Sequence, residues 1–62
     1  MWTVVYIARS RKEAEKIRDC LVKEGLLVKL NLVGAGSENN QTYEILVPEA
    51  EVEEALELLG SL

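Results

Sequence analysis

The chain has 62 residues, 48% of them hydrophobic, and a formal net charge of -4 at pH 7. A chain of this length buries only about 60% of the surface that it exposes when unfolded, so we expect a small core that needs further stabilisation. A disulfide within the chain is excluded because Cys20 is the only cysteine, and a zinc site is disfavoured because there is no histidine. We therefore expect a single domain over residues 1–62, without metal or cofactor, that is stabilised by association.

Charge and hydropathy also bear on location and partners. Residues 1–30 hold all seven basic residues and four acidic ones, whereas residues 31–62 hold seven acidic residues and no basic one. An acidic total disfavours nonspecific binding to nucleic acid. The apolar start MWTVVYIA is too short for a signal peptide, and no segment approaches the roughly 20 apolar residues of a membrane span. These features predict a cytoplasmic protein that binds neither nucleic acid nor a membrane.

The first predicted element is a strand over WTVVYIA, which is rich in β-branched and aromatic residues. Which of its faces is buried is ambiguous. If Val5 and Ile7 point to the core, the open face of the sheet receives Trp2, Val4 and Tyr6; the opposite register buries those three. We favour the first arrangement.

A helix is predicted next. Ser10 to Glu13 fit a capping box, in which the Ser10 hydroxyl accepts from the amide of Glu13 and the Glu13 carboxylate accepts from the amide of Ser10. The apolar stripe of this helix contains Ala14, Ile17 and Leu21. Gly25 is expected to end it, because glycine readily adopts the positive φ found after helices.

Two further strands and a second helix follow. The strands are predicted over residues 26–33, with the even-numbered residues toward the helices, and over 42–47, with Tyr43, Ile45 and Val47 toward them. Pro48 ends the third strand because it has no N–H to donate. The apolar stripe of the second helix is predicted to be Val52, Ala55, Leu56 and Leu59, with Gly60 at its end. A right-handed crossover in this β-α-β-β-α order predicts an α+β fold with an antiparallel sheet of order 1-3-2 and both helices on one face.

The glycine-rich stretch VGAGSENNQ, residues 33–41, is the first candidate site. A phosphate cradle needs glycines between a strand and a helix start, but here a strand follows and the stretch has no basic residue. A flexible hairpin connection is therefore favoured, and the alternative is a recognition loop that becomes ordered on binding. The candidate loop residues are Gly34, Ala35, Gly36, Ser37, Glu38, Asn39 and Asn40.

Catalysis is not expected. Without histidine the chain cannot form a Ser-His-Asp set, and Cys20 has no histidine to activate it. The carboxylates of the second helix are expected on its solvated side, where the alternative role is a patch for a basic partner; they are Glu49, Glu51, Glu53, Glu54 and Glu57.

Two longer segments carry a resemblance to a known family. They are YIARSRKEAEKIRDCLVKEGL, read as strand, helix and the start of a strand, and EILVPEAEVEEALELL, read as a strand that leads into an acidic helix. In this order they resemble a family of small bacterial signal-transducing proteins of unknown biochemical function. The resemblance implies a ferredoxin-like, or PII-like, fold and a regulatory role. It also places VGAGSENNQ where PII-type proteins carry their effector loop.

The ferredoxin-like fold has a fourth strand beside the first, but only Ser61 and Leu62 follow Gly60. Strand one is then an edge with neither charge nor proline, and such edges invite pairing with another chain. We predict a homo-oligomer, most simply a dimer, joined through strand one or through the open sheet face. The expected contact residues are Trp2, Val4, Tyr6, Leu27 and Leu46.

Two functions are consistent with these features. The first is a small non-catalytic regulatory module that binds a protein partner or an effector. The alternative is a sensor of a nucleotide or metabolite that uses the connection between strands two and three.

Overall fold

A computed structural model describes residues 1–33 and 41–62. Its elements in chain order are β1 (Trp2–Ala8), α1 (Arg11–Lys23), β2 (Lys29–Val33), β3 (Thr42–Pro48), a 3-10 turn (Glu49–Glu51) and α2 (Val52–Gly60). Both outer strands pair antiparallel to β3, so the sheet has the order β1-β3-β2. The predicted α+β class and strand order are confirmed.

The core lies between one face of the sheet and the two helices. Ile45 and Val47 of the central strand are fully buried and share one cluster with residues of both helices. Burying such side chains contributes about 1.5–3 kcal/mol each. Among the described residues the buried set is Ala8, Ala14, Ile17, Leu21, Leu26, Ile45, Val47 and Ala55. The opposite face of the sheet, which no described helix covers, is called the open face below.

The start of α1 is capped by Ser10 and is also joined to β1 by hydrogen bonds. The Ser10 Oγ accepts from the amide of Glu13 at 3.1 Å, as predicted. Glu13 Oε1, however, accepts from the amide of Arg9 at 2.9 Å and not from that of Ser10. Glu13 Oε2 accepts from the hydroxyl of Tyr6 at 3.3 Å, so one carboxylate joins the helix start to the strand before it.

The end of α1 confirms the role of Gly25, whose φ is 92°. The amides of Gly25 and Leu26 donate to the carbonyls of Val22 and Leu21 at 2.9 and 3.1 Å, the hydrogen bonds of a Schellman motif. The amide of Leu27 donates to Glu51 Oε1 at 2.9 Å. These amides therefore cannot serve a strand ladder. The predicted start of β2 at residue 26 was therefore wrong, and β2 begins at Lys29.

A β-bulge in β1 resolves the ambiguity over its two faces. Val4 pairs with Leu46 and Tyr6 with Ile45, so Val5 is an extra residue without a partner on β3. Directly paired residues share a face of the sheet. Val4 therefore lies on the open face, while Tyr6 lies on the helix side beside the buried Ile45.

Because of the bulge, the predicted orientation of β1 is correct before and at Val5 and wrong after it. Trp2 and Val4 lie on the open face and Val5 contacts the core, as expected. Tyr6 also contacts the core, and Ile7, which pairs with Glu44, lies on the open face and is 49% exposed. The placement of Tyr6 outward and Ile7 inward was wrong because alternation along a strand breaks at a bulge.

Helix α2 follows the 3-10 turn and buries a slightly different stripe from the predicted one. Ala55 is fully buried, and the side chains packed against the core are Val52, Leu58 and Leu59. Leu56 is 52% exposed. At 100° per residue Leu58 lies about 60° from Ala55 around the helix, whereas Leu56 lies about 100° away, so Leu58 turns more toward the core.

Candidate functional site

The predicted loop, Gly34 to Asn40, lies outside the described residues. Its surroundings are described on both sides. Val33 at the end of β2 pairs with Thr42 at the start of β3. The stretch is therefore preceded and followed by paired strands, which is the arrangement that disfavoured a phosphate cradle.

The open face carries a column of apolar side chains along β1. Trp2, Val4 and Ile7 are 44%, 40% and 49% exposed. Leu46, the neighbour of Val4 on β3, is half-buried on the same face. This half of the face offers contiguous apolar surface to water or to a partner.

The other half of the open face is largely polar, with Val33 at its end 37% exposed, and its Asn31, Glu44 and Lys29 side chains have partners. Asn31 Nδ2 donates to Glu44 Oε1 at 3.0 Å across the β2–β3 pair. Lys29 pairs with Leu46 in the ladder, and its Nζ lies 5.5 Å from the centroid of the Trp2 ring, so its side chain spans β3 to reach β1. Such a cation–π contact contributes about 0.5–1 kcal/mol at an exposed site.

The predicted contact residues are divided by this geometry. Trp2, Val4 and Leu46 share the open face, and Leu27, just before β2, is 62% exposed. Tyr6 is on the helix side, bonded to Glu13. Ile7 joins the face and was missed, because only its pairing with β3 reveals its direction. That these residues contact another chain stays a prediction.

The carboxylates of the second helix do not converge on a site. Glu49, Glu53, Glu54 and Glu57 are exposed, as expected for a solvated surface. Glu51 differs because it is half-buried and accepts from the amide of Leu27 at 2.9 Å. Its role is to join the start of α2 to the segment before β2. Within residues 1–33 and 41–62 no cluster of histidine, cysteine and acidic side chains is suited to a metal ion.

Two shallow cavities of about 300 and 330 Å3 lie beside α1, one toward the end of α2 and the other toward β1. They share Cys20 and Leu62, and their other apolar lining comes from Tyr6, Ile17, Leu21 and Leu58. Cys20 is half-buried there. Lys16 and Glu13 lie at one end and Lys23 and Glu24 at the other, so each end carries both signs of charge and favours no charged ligand.

In the part of the chain that the structure describes, neither helix has the length and apolar content to cross a membrane. Comparison of the chain with known family models, with curated proteins and with solved structures gives no match. What the molecule does must therefore be inferred from its own residues, above all from the open face.

Proposed function

We propose that this protein is a small non-catalytic regulatory module that acts by binding, and that the open face is its binding surface. The observation that supports this most is the exposed column Trp2, Val4 and Ile7 on a face without a helix. Contiguous exposed apolar patches on small soluble proteins commonly mark interaction sites.

The polar half of the open face supports the same function. Burying a polar group costs free energy unless it keeps a hydrogen bond. Asn31 and Glu44 are bonded to each other, and Lys29 is held over Trp2. These groups keep their partners when another surface covers the face, so the desolvation cost of binding is reduced.

A non-catalytic role, a ferredoxin-like or PII-like classification and a cytoplasmic location belong to the same proposal. The absence of histidine from the sequence supports the first. The element order and the sheet order β1-β3-β2 support the second. A single cysteine supports the third, because exported small domains commonly rely on disulfides.

The alternative is a sensor of a nucleotide or metabolite through residues 33–41. It is favoured by the length of this connection: eight residues, 34–41, separate the paired Val33 and Thr42, more than the about two to five of a usual hairpin loop. A ligand bound there should shift the NMR signals of Val33, Gln41 and Thr42 and leave those of Val4 and Ile7 unchanged.

Site-specific photo-crosslinking tests the binding role of the open face. A photoreactive residue replaces Ile7 in one variant and Leu56 in another, two positions of nearly equal exposure on opposite sides of the molecule. In living cells we expect covalent protein adducts, with this chain or another, from position 7 and not from position 56. Equal labelling at both positions, or none at position 7, contradicts the proposal.

A further inference from the structure

We propose that the partner of the open face is a second copy of this chain, packed sheet against sheet. This inference rests on the proposed binding function of the face and names its first occupant. It also chooses between the β1 edge and the open face, which were both predicted as routes to a dimer.

The bulge at Val5 disfavours the β1 edge. In an antiparallel ladder, residues opposite each other must point to the same side of the sheet. A symmetric β1–β1 pairing centred on Val5 would set Val4, on the open face, opposite Tyr6 of the second copy, on the helix side. In registers that avoid this mismatch, the extra residue of each copy still interrupts the ladder of hydrogen bonds. Bulges are among the features by which natural edge strands avoid such pairing.

The pattern of the open face suits a copy of itself. Consider a two-fold axis that lies between the two sheets, parallel to both and perpendicular to the strands. It places β1 of one copy over β1 of the other, with the two strands antiparallel. With the axis between the rows of Val4 and Ile7, Val4 lies opposite Ile7 of the second copy. The apolar residues Val4 and Ile7 of the two β1 strands then cover each other, β2 lies over β2, and on β3 Leu46 lies opposite Glu44 of the second copy.

Charge agrees with this arrangement. The three strands contain one positive residue, Lys29, and one negative residue, Glu44. The face is therefore neutral, although the chain carries a net charge of -4. The same two-fold axis sets Lys29 opposite Asn31 of the second copy, which is bonded to Glu44. Lys29 of each copy thus approaches Glu44 of the other.

The size of the face indicates a weak dimer. Three strands about 4.8 Å apart and seven residues at about 3.3 Å each give a projected area of roughly 300 Å2 per copy. With side-chain relief, two copies together lose on the order of 600–1,000 Å2 of accessible surface, at or below the lower limit of specific interfaces. We therefore expect a dissociation constant in the micromolar range.

Sedimentation equilibrium across the micromolar range, up to several hundred micromolar, tests the inference. The wild-type chain should be a reversible dimer. Ile7→Lys should weaken the dimer at least about tenfold, because it brings an unpaired charge into the interface. Leu56→Lys, at a position of similar exposure on α2, should leave the dissociation constant within about twofold. Circular dichroism checks that each variant is folded. If Ile7→Lys does not fold, Ile7→Thr replaces it and should also weaken the dimer.

The possible failures are distinguishable. A wild-type dimer that persists in the Ile7 variants overturns the inference, since an edge pairing does not bury that side chain. A wild-type monomer that is crosslinked from position 7 to a different protein overturns the inference and leaves the binding function of the face intact. A monomer with no adduct at position 7 overturns both.

Discussion

The sheet has a covered face, which packs against the two helices, and the open face. Both are built from the same three strands, but they differ in how far their apolar side chains are buried. On the covered face Ile45 and Val47 are fully buried, whereas Trp2 and Ile7 on the open face remain 44% and 49% exposed. Val5 creates part of this difference, because the bulge turns Tyr6 inward and Ile7 outward. One unpaired residue thus influences which side chains stabilise the monomer and which are available to a partner.

The largest expected difference between the faces is in the response to truncation. Ile45→Ala should lower the free energy of unfolding by about 2–4 kcal/mol, because Ile45 is fully buried and its removal leaves a cavity. Urea unfolding measures this change. If the alanine variant does not fold, Ile45→Val should show a loss of about 0.5–1.5 kcal/mol.

The matched control is Leu46→Ala, one residue along β3 on the open face. At protein concentrations where the chain is monomeric, we expect a loss of about 1 kcal/mol or less, because Leu46 is only half-buried. Equal losses at positions 45 and 46 would contradict the distinction between the two faces.

Deletion of Val5 is the next largest expected effect. The remaining residues of β1 then alternate regularly, with Tyr6 still inward and Ile7 still outward, and the burial of one valine is lost. We expect the fold to persist with a loss of about 1–2 kcal/mol. We also expect greater self-association, because the edge becomes regular.

NMR contacts between side chains check this prediction. The Ile7 methyl groups should show contacts to Val4 and Leu46 in both the wild-type and the shortened chain. Contacts from Ile7 to Ile17 or Leu21 of α1 in the shortened chain would show that the bulge does not set the orientation.

Tyr6→Phe tests what holds Tyr6 on the covered side. The hydroxyl of Tyr6 donates to Glu13 in a half-buried position, so its loss should cost about 0.5–1 kcal/mol. Tyr43→Phe is the control, since the Tyr43 hydroxyl donates to Gln41 Oε1 at an exposed position, and it should be nearly neutral. Thermal unfolding of the two variants compares their losses of stability. A larger loss in Tyr43→Phe would contradict the stabilising role of the Tyr6–Glu13 hydrogen bond.

The smallest expected effect concerns the polar half of the open face. Lys29→Met removes the cation over Trp2 and should cost about 0.5 kcal/mol in the monomer. It should also change the emission intensity of Trp2, the only tryptophan. Lys23→Met at the end of α1 is the control, and an identical change in emission there would exclude a specific Lys29–Trp2 contact.

Features determined by neighbouring residues could be predicted from the sequence. The Ser10 cap, the positive φ of Gly25 and the end of β3 at Pro48 each depend on hydrogen bonds or steric effects within a few residues. The strand order also followed, because a β-α-β-β-α chain has one favoured way to pair its strands.

Features that depend on distant contacts could not be predicted. The inward turn of Tyr6 and the exposure of Ile7 require the register between β1 and β3. The start of β2 depends on Glu51, which binds the amide of Leu27 from 24 residues away. The composition of the open face was therefore predicted only in part. Trp2, Val4 and Leu46 were identified, but Ile7, which completes the apolar column, was missed.

Fluorescence of Trp2 during dilution tests most directly whether a second copy covers the open face. Trp2 is the sole tryptophan and lies on that face. In the wild-type chain and in Leu56→Lys its emission should move to longer wavelength on dilution through the micromolar range, as water reaches the indole. In Ile7→Lys the same shift should occur at concentrations at least about tenfold higher. Emission that does not depend on concentration in the wild-type chain, up to several hundred micromolar, would contradict the account.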